Sequence, residues 1–167
     1  WSSDVCSSDL LRHSTQKLTE FQTHIELARQ QRRDGYRDLA NKTLIRVIES
    51  DAPSGFKRVA LYELGVYHEA DKDLQRAQQI FAQFLKEFPE DSMMPEILLR
   101  QGRIYRQMGA YNQAIGKFYT VLSASLNLKV DKLDYYKTLV LYAQTEIADT
   151  FAAQRSEEHT SELQSRG

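Results

Sequence analysis

Apolar residues along this chain recur with the spacing of one face of a helix in several segments, and short polar stretches with helix breakers separate these segments. Between residues 74 and 88 they recur at intervals of three and four, the spacing of one face of an α-helix. This stripe consists of Leu74, Ala77, Ile80, Phe81, Phe84, Leu85 and Phe88. No segment alternates apolar and polar residues between turn-rich flanks, so no strand is predicted. The pattern predicts about seven helices, at residues 14–33, 36–50, 56–70, 73–88, 94–108, 111–126 and 130–154.

Proline, glycine and small polar residues mark the helix boundaries. Residues 50–55 (SDAPSG) end one helix and begin the next, and residues 89–92 (PEDS) do the same further along. Gly35 and Gly109 fall between paired helices, where a left-handed backbone is often required. The chain is therefore predicted to be a series of helical hairpins.

The hairpins repeat with a period of 37 residues, because small residues recur at two fixed slots and large apolar residues at two others. The small slots hold Ala28, Gly65 and Gly102, then Ala40, Ala77 and Ala114; the large slots hold Leu44, Phe81 and Phe118, then Ile48, Leu85 and Leu122. Such a period is typical of stacked helical repeats, in which each unit buries its apolar face against its neighbours. The predicted fold class is all-α, a right-handed solenoid of antiparallel helical hairpins.

These slots resemble the tetratricopeptide repeat, whose 34-residue unit has small residues at positions 8 and 20 and large ones at several others. In that register the units span residues 21–54, 58–91 and 95–128, with a partial fourth unit at 141–154. The resemblance implies that small side chains let the helices of a hairpin approach closely and that large ones fill the space between hairpins. Packing roles are thereby assigned to Ala28, Ala40, Leu44, Leu64, Gly65, Ala77, Phe81, Pro89, Gly102, Tyr105, Ala114, Phe118 and Ala148.

Two features depart from the family pattern. The period is 37 residues rather than 34, which longer connections between hairpins, at residues 51–55 and 91–94, account for. The step from Gly102 to Ala148 is 46 residues, so the fourth unit is expected to carry an insertion near residues 126–136, as extra helix.

The sequences of the two ends of the chain can be encoded by the two strands of one DNA segment. Residues 155–165 (RSEEHTSELQS) can be encoded by DNA whose reverse complement encodes WSSDVCSSDL, the sequence of residues 1–10. Both ends resemble translated sequencing-adapter DNA, so we expect residues 1–10 and 155–167 to be adapter-derived. On this hypothesis residues 11–154 form the repeat domain, an internal fragment of a longer protein, and neither end buries much apolar surface in its core.

Composition and charge argue against several classes of function. Without the two ends, the net charge moves from −1 to about +2, which gives no electrostatic case for binding nucleic acid. The only Cys and the only Trp, Cys6 and Trp1, lie in the end segments, so the repeat domain has no thiol nucleophile. No apolar run approaches the roughly 18 residues that span a bilayer, and membrane association is expected only through a missing anchor.

In the tetratricopeptide family, the first helix of each hairpin lines a concave groove. Carried over by register, the groove holds Arg29, Arg32, Arg33, Tyr62, Val66, Glu69, Leu99, Arg103 and Arg106, with Gln22, Ile25, Val59, Glu96 and Tyr142 at further groove slots. Arginine pairs bidentately with carboxylates, and tyrosine offers a rigid apolar surface with a polar tip. One hypothesis is that the groove binds an acidic or C-terminal-carboxylate peptide segment. The alternative is that these arginines form an ordinary solvated helix face.

The candidate catalytic and metal-binding motifs are weak. The segment from Gly109 to Lys117 lacks the glycine spacing, the Ser/Thr and the preceding strand of a phosphate loop. His24 and His68 lack metal-ligand spacing and fall at packing slots. Glu146 and Asp149 share a helical face, where paired carboxylates are usually solvated. No catalytic residue, metal ligand or cofactor is predicted, and the chain is not expected to be an enzyme.

Within the repeat family, residues 81–89 (FAQFLKEFP), followed by Tyr105 and residues 109–111 (GAY), resemble bacterial cell-envelope members. These include the BamD-type outer-membrane assembly lipoproteins and the Tol-Pal coordinator group. The resemblance implies a protein-interaction scaffold in the bacterial periplasm or at the inner face of the outer membrane. The alternative is a cytoplasmic adaptor or regulatory module fused to a further domain. In either setting the expected partner is a protein or peptide.

Overall fold

A computed structural model describes residues 3–126 and 133–165 of the chain. These residues form seven helices and no strand, which confirms the all-α class predicted from the apolar periodicity. The helices are α1 (Ser3–Arg33), α2 (Arg37–Glu49), α3 (Ser54–Ala70), α4 (Leu74–Glu87), α5 (Met94–Gln107), α6 (Tyr111–Leu126) and α7 (Leu133–Ser165). Within the segment predicted to hold the insertion, residues 127–132 lie outside the described residues.

The first and last helices are longer than predicted. Helix α1 begins at Ser3 rather than near residue 14, and α7 continues to Ser165 rather than ending near residue 154. Neither helix contains glycine or proline, so no residue in either sequence stops the helix once it has formed. Residues 155–165 are exposed throughout, although Tyr111 donates a 2.6 Å hydrogen bond to Glu157. Trp1 and the side chain of Leu10 lie outside the described residues.

Contacts divide the chain into two compact units, Trp1–Phe84 and Leu85–Gly167. In the first unit, α2 packs against α1 and α3, around Ile25, Ala28, Leu44, Val47, Ala52, Ala60 and Leu64. In the second, α6 packs against α5 and α7, around Leu98, Leu99, Ala114, Phe118, Val121, Tyr136, Leu139 and Ala143. Each unit also brings two first helices into contact, α1 with α3 and α5 with α7.

The turn inside each hairpin has the same backbone geometry. Gly35 and Gly109 have φ values of 87° and 73°, which confirms the predicted left-handed turns, and Lys72 at the equivalent slot has φ 63°. The residue after each one donates a hydrogen bond to the carbonyl five residues earlier, at 2.8–2.9 Å. This bond is typical of a Schellman cap, in which the left-handed residue ends the helix. Lys72 therefore adopts a conformation that suits glycine.

Replacement of Lys72 by glycine should stabilise the chain. Because glycine adopts positive φ without the Cβ clash, we expect Lys72→Gly to raise the free energy of unfolding by about 0.5–1 kcal/mol. Urea unfolding followed by circular dichroism measures this change. The control is Lys72→Ala, which removes the same side chain but keeps the strained Cβ. Equal stability of the two variants would contradict the prediction.

The two helices of a hairpin approach closely at the predicted small slots occupied by Gly65 and Gly102. A Cβ added to Gly65 would lie 2.5 Å from Cε1 of Phe81, and a Cβ on Gly102 would collide with the same atom of Phe118. Both phenylalanine rings are fully buried. The corresponding residues of the first hairpin, Ala28 and Leu44, are also fully buried and share one core cluster. In the first hairpin, alanine replaces glycine at the small slot and leucine replaces phenylalanine at the large slot. The two changes in volume compensate each other, as close packing requires.

Two residues that the sequence assigned to packing are exposed, and these assignments are corrected. Pro89 follows α4, where it prevents continuation of the helix. Ala148 is exposed because α7 runs straight on to Ser165, so within the described residues no second helix folds back over it. The structure buries Ala28, Ala40, Leu44, Leu64, Gly65, Ala77, Phe81, Gly102, Ala114 and Phe118, and packs the partly buried Tyr105 against the second core.

Candidate functional site

A cleft of about 160 Å³ lies between α1 and α3 in the first unit. Its floor is apolar, since Ile25 is buried and Phe56 and Val59 are half-buried. The polar side chains of its lining are Gln22, Glu26 and Arg29. We call it the first cleft.

A cleft of about 230 Å³ lies between α5 and α7 in the second unit, and we call it the second cleft. Leu99 and Leu139 are buried at its floor, while Tyr135 and Tyr142 are 41% and 49% exposed. Burial raises the pKa of Tyr135, and the neighbouring Glu96 carboxylate, to which it hydrogen-bonds, raises the pKa further. Glu96, Arg100 and Arg103 complete the lining.

The two clefts occupy the same register of the repeat. On the first helix of each cleft, equivalent residues are 74 positions apart, which is two periods. On the facing helix the separation is 83, because of the additional nine residues of the insertion. Equivalent residues are Gln22 and Glu96, Ile25 and Leu99, Arg29 and Arg103, and Val59 and Tyr142. Slots that the sequence placed in the groove therefore line a cleft in each unit.

The arginine of each cleft is held by a glutamate from the facing helix. Nε of Arg29 donates to Oε1 of Glu63 at 2.8 Å, and Nε of Arg103 donates to Oε1 of Glu146 at 2.6 Å. Both glutamates occupy the sixth position of the next hairpin, although the separations are 34 and 43 residues. The two separations differ by nine residues, which is the length of the insertion, so the same repeat positions meet on both sides of it. The glutamate side chains are 14% and 11% exposed, so each pair is partly shielded from water.

Arg32 is held by a second carboxylate in the first unit. Its guanidinium donates two hydrogen bonds to Asp71, at 2.6 and 2.8 Å, and lies 4.8 Å from the ring centre of Tyr67. The hydrogen bond from Arg32 lowers the pKa of Asp71. The bidentate geometry and the stacked ring fix the arginine in one orientation.

The other two predicted groove arginines differ in their surroundings. In the second unit, NH1 of Arg106 lies 2.7 Å from Oε2 of Glu146 and 3.9 Å from Asp149. Arg33 is exposed and donates to the side chain of Gln30 on its own helix. Glu146 therefore contacts two groove arginines at once.

Tertiary contacts change the interpretation of several sequence positions. Tyr62, Val66 and Glu69 are partly buried on α3 and do not line the first cleft. Sequence reasoning missed Glu63 as a partner and treated Glu146 as a solvated carboxylate, whereas Glu146 is buried. The sequence did contain a signal for these pairs. Where one repeat unit has arginine at its ninth position, the next unit has glutamate at its sixth.

Within residues 3–126 and 133–165, no group of three or more His, Cys, Asp or Glu side chains is arranged to hold a metal ion. Over the same ranges, no helix combines the length and the apolar character needed to cross a membrane. His24 makes a contact of 2.8 Å through Nδ1 with the carbonyl of Glu20. His68 is buried, and its Nδ1 lies 3.5 Å from Oδ2 of Asp73.

The burial of His68 should make the stability of the chain depend on pH. Burial lowers the pKa of His68 below its ordinary value of 6.5. The unfolded chain then binds the proton more readily, so the stability linked to neutral His68 is complete above pH 6.5 and falls as the pH drops towards the folded-state pKa. We expect the thermal midpoint of the parent chain to fall more steeply between roughly pH 7 and 5 than that of His68→Gln. Parallel midpoints across this range would count against the prediction.

Residues 59–91 match the family model of the tetratricopeptide repeat. The matched segment nearly coincides with the unit that the 37-residue period places at residues 58–91, and it supports a tetratricopeptide repeat protein. A comparison with curated proteins finds no match. Repeats of this family mediate protein–protein interactions, so the match supports a protein-interaction scaffold, a class that is generally non-enzymatic.

Proposed function

We propose that this chain is a protein-interaction scaffold that holds a partner segment in the clefts between successive first helices. The observation behind the proposal is that one cleft recurs, at the same register, in both units. Each cleft combines buried and partly exposed apolar residues with three polar side chains, an arrangement that resembles that of ligand-binding clefts. We assign no catalytic role to the chain.

The proposed contact residues are the groove positions that line the two clefts, with the neighbouring groove positions around them. The lining positions are Gln22, Ile25, Arg29, Val59, Glu96, Leu99, Arg103 and Tyr142, and the neighbouring ones are Arg32, Arg33, Tyr62, Val66, Glu69 and Arg106. Ile25 and Leu99 are 5% and 3% exposed. The apolar surface that a partner side chain could still cover therefore lies beside the floors, on Phe56 and Val59 in the first cleft and on Tyr135 and Tyr142 in the second.

The arginines favour an acidic partner less than the sequence suggested. Arg29, Arg32, Arg103 and Arg106 already contact carboxylates of this chain. An acidic segment would therefore have to displace an internal partner before it could bind them. We infer that the exposed apolar surface beside the floors, rather than the arginines, provides most of the binding free energy.

For the cellular setting we propose the bacterial envelope, on the basis of the resemblance of residues 81–89 and 105–111 to envelope repeat proteins. A cytoplasmic adaptor or regulatory module is the second candidate. The complete coding sequence discriminates between the two. A signal peptide with a lipobox cysteine would support the envelope, and a fused catalytic or DNA-binding domain would support the adaptor.

Site-specific photo-cross-linking tests the interaction surface. We expect Tyr142→p-benzoylphenylalanine, in the second cleft, to cross-link discrete partner proteins in cells that express the chain. The control is the same substitution at Tyr119, a residue of α6 that is 54% exposed and outside the lining of the cleft. Identical cross-linking patterns from the two positions would contradict the proposed surface.

A further inference from the structure

We propose that Glu63 and Glu146 make the clefts select uncharged, apolar side chains and reject acidic ones. The proposal rests on the proposed function, because it names the class of segment that the clefts bind. Each glutamate acts as an internal carboxylate ligand of the cleft arginine and so occupies the position that an acidic partner would need.

The guanidinium of Arg29 is held by two carboxylates of this chain. Nε donates to Glu63 at 2.8 Å, NH2 pairs with the same carboxylate, and NH1 donates to Glu26 at 2.6 Å. All three nitrogens therefore face carboxylates of this chain. Hydrogen bonds between a guanidinium and a carboxylate are about twice as strong as neutral ones, and an incoming carboxylate would have to compete with those that the chain has already formed.

Glu146 has the same role in the second cleft and holds two arginines. Its Oε1 accepts from Nε of Arg103 at 2.6 Å, and its Oε2 lies 2.7 Å from NH1 of Arg106. On α5, Nε of Arg100 donates to Glu96 at 3.2 Å, and Arg106 also lies 3.9 Å from Asp149. Three arginines thus face three carboxylates around the cleft, so the cleft has no net positive charge to attract an acidic side chain.

The dimensions and lining of the second cleft suit one apolar side chain. Leu99 and Leu139 form a buried floor, and Tyr135 and Tyr142 are half-exposed beside it. An apolar cavity of roughly 150 Å³ takes a benzene-sized group, so a cleft of about 230 Å³ has room for one large aliphatic or aromatic side chain. A leucine-like side chain above this floor would cover the exposed rings of Tyr135 and Tyr142 and leave the arginine–glutamate pairs intact.

Two matched peptides test this selection on the full chain by NMR titration. The neutral probe is Ac-Gly-Ser-Leu-Leu-Ser-Gly-amide, and the acidic probe has glutamate in place of both leucines. We expect the neutral probe to shift the signals of Leu99, Leu139 and Tyr142, and the acidic probe to leave them unchanged. In Glu146→Gln, which releases Arg103 and Arg106, affinity for the acidic probe should rise by about tenfold.

The control for net charge is Glu158→Gln, which makes the same change at an exposed position on the same helix. If Glu146→Gln does not fold, as judged by circular dichroism, Glu63→Gln repeats the test in the first cleft. Binding of the acidic probe to the parent chain as tightly as to Glu146→Gln would overturn the selection. So would failure of the neutral probe to shift any cleft signal. In either case, specific cross-linking from position 142 would still support the scaffold function, so the two failures can be told apart.

Discussion

Replacement of Gly102 by alanine is expected to lower the free energy of unfolding by about 1–3 kcal/mol, the range for overpacking of a well-packed core. The new Cβ would collide with the ring of Phe118, which is fully buried, and buried side chains are usually closely packed. The helix preference of alanine over glycine opposes this loss by only about 1 kcal/mol. Denaturant unfolding followed by circular dichroism measures the difference.

A second substitution should recover much of this loss. Gly102→Ala with Phe118→Leu recreates the combination that the first hairpin uses at the same slots, Ala28 with Leu44. The control is Gly116→Ala, on α6, where an added Cβ meets no atom within 4 Å. This control should gain about 0.5–1 kcal/mol of stability, since alanine stabilises a helix relative to glycine. A double variant no more stable than Gly102→Ala alone would show that the ring is not the cause.

Loss of the Arg32–Asp71 pair is expected to have an effect of similar size. The two side chains are only 17% and 18% exposed, so removal of either leaves the other charge poorly solvated. We expect Arg32→Ala or Asp71→Asn to cost about 2–3 kcal/mol, below the loss for a fully buried pair. Arg32→Lys should not restore the stability, because an ammonium cannot make the two parallel hydrogen bonds or stack on Tyr67 in the same way.

Arg37 provides the matched control for this pair. It lies 3.1 Å from the same carboxylate, but its side chain is 66% exposed, so Arg37→Ala should cost less than about 1 kcal/mol. The pH dependence gives a second readout. Because the pKa of Asp71 is lowered in the folded chain, its contribution is complete above its ordinary value of 3.8 and is lost as the pH falls through the folded-state pKa. Equal losses for Arg32→Ala and Arg37→Ala would contradict a shielded pair.

These predictions separate the two roles of the first helices. Gly65 and Gly102 act within a hairpin, where the close approach of a ring leaves no space for a side chain. Arg29, Arg32 and Arg103 act between first helices, through carboxylates that the next hairpin supplies. If Glu63 and Glu146 also exclude acidic partners, the ion pairs that join neighbouring hairpins set the binding specificity of the clefts as well.

The sequence by itself determined the all-helical class, the turns and most of the packing slots, because these depend on local spacing. Apolar residues at intervals of three and four define a helix whatever its neighbours are, and Gly35 and Gly109 indicated left-handed turns directly. The 37-residue period then aligned Lys72 with the two glycines, although its positive φ became evident only in the backbone. The period also placed the groove slots that line the two clefts.

Tertiary structure alone decided where the charged side chains point and what they pair with. Arginine is long and flexible, so the residue type fixes neither its orientation nor its partner. The partners of Arg29 and Arg103 lie 34 and 43 residues away, and only the contact between neighbouring first helices brings them together. Periodicity gives the face on which a residue lies, whereas the pairing of long side chains depends on which helix packs beside that face.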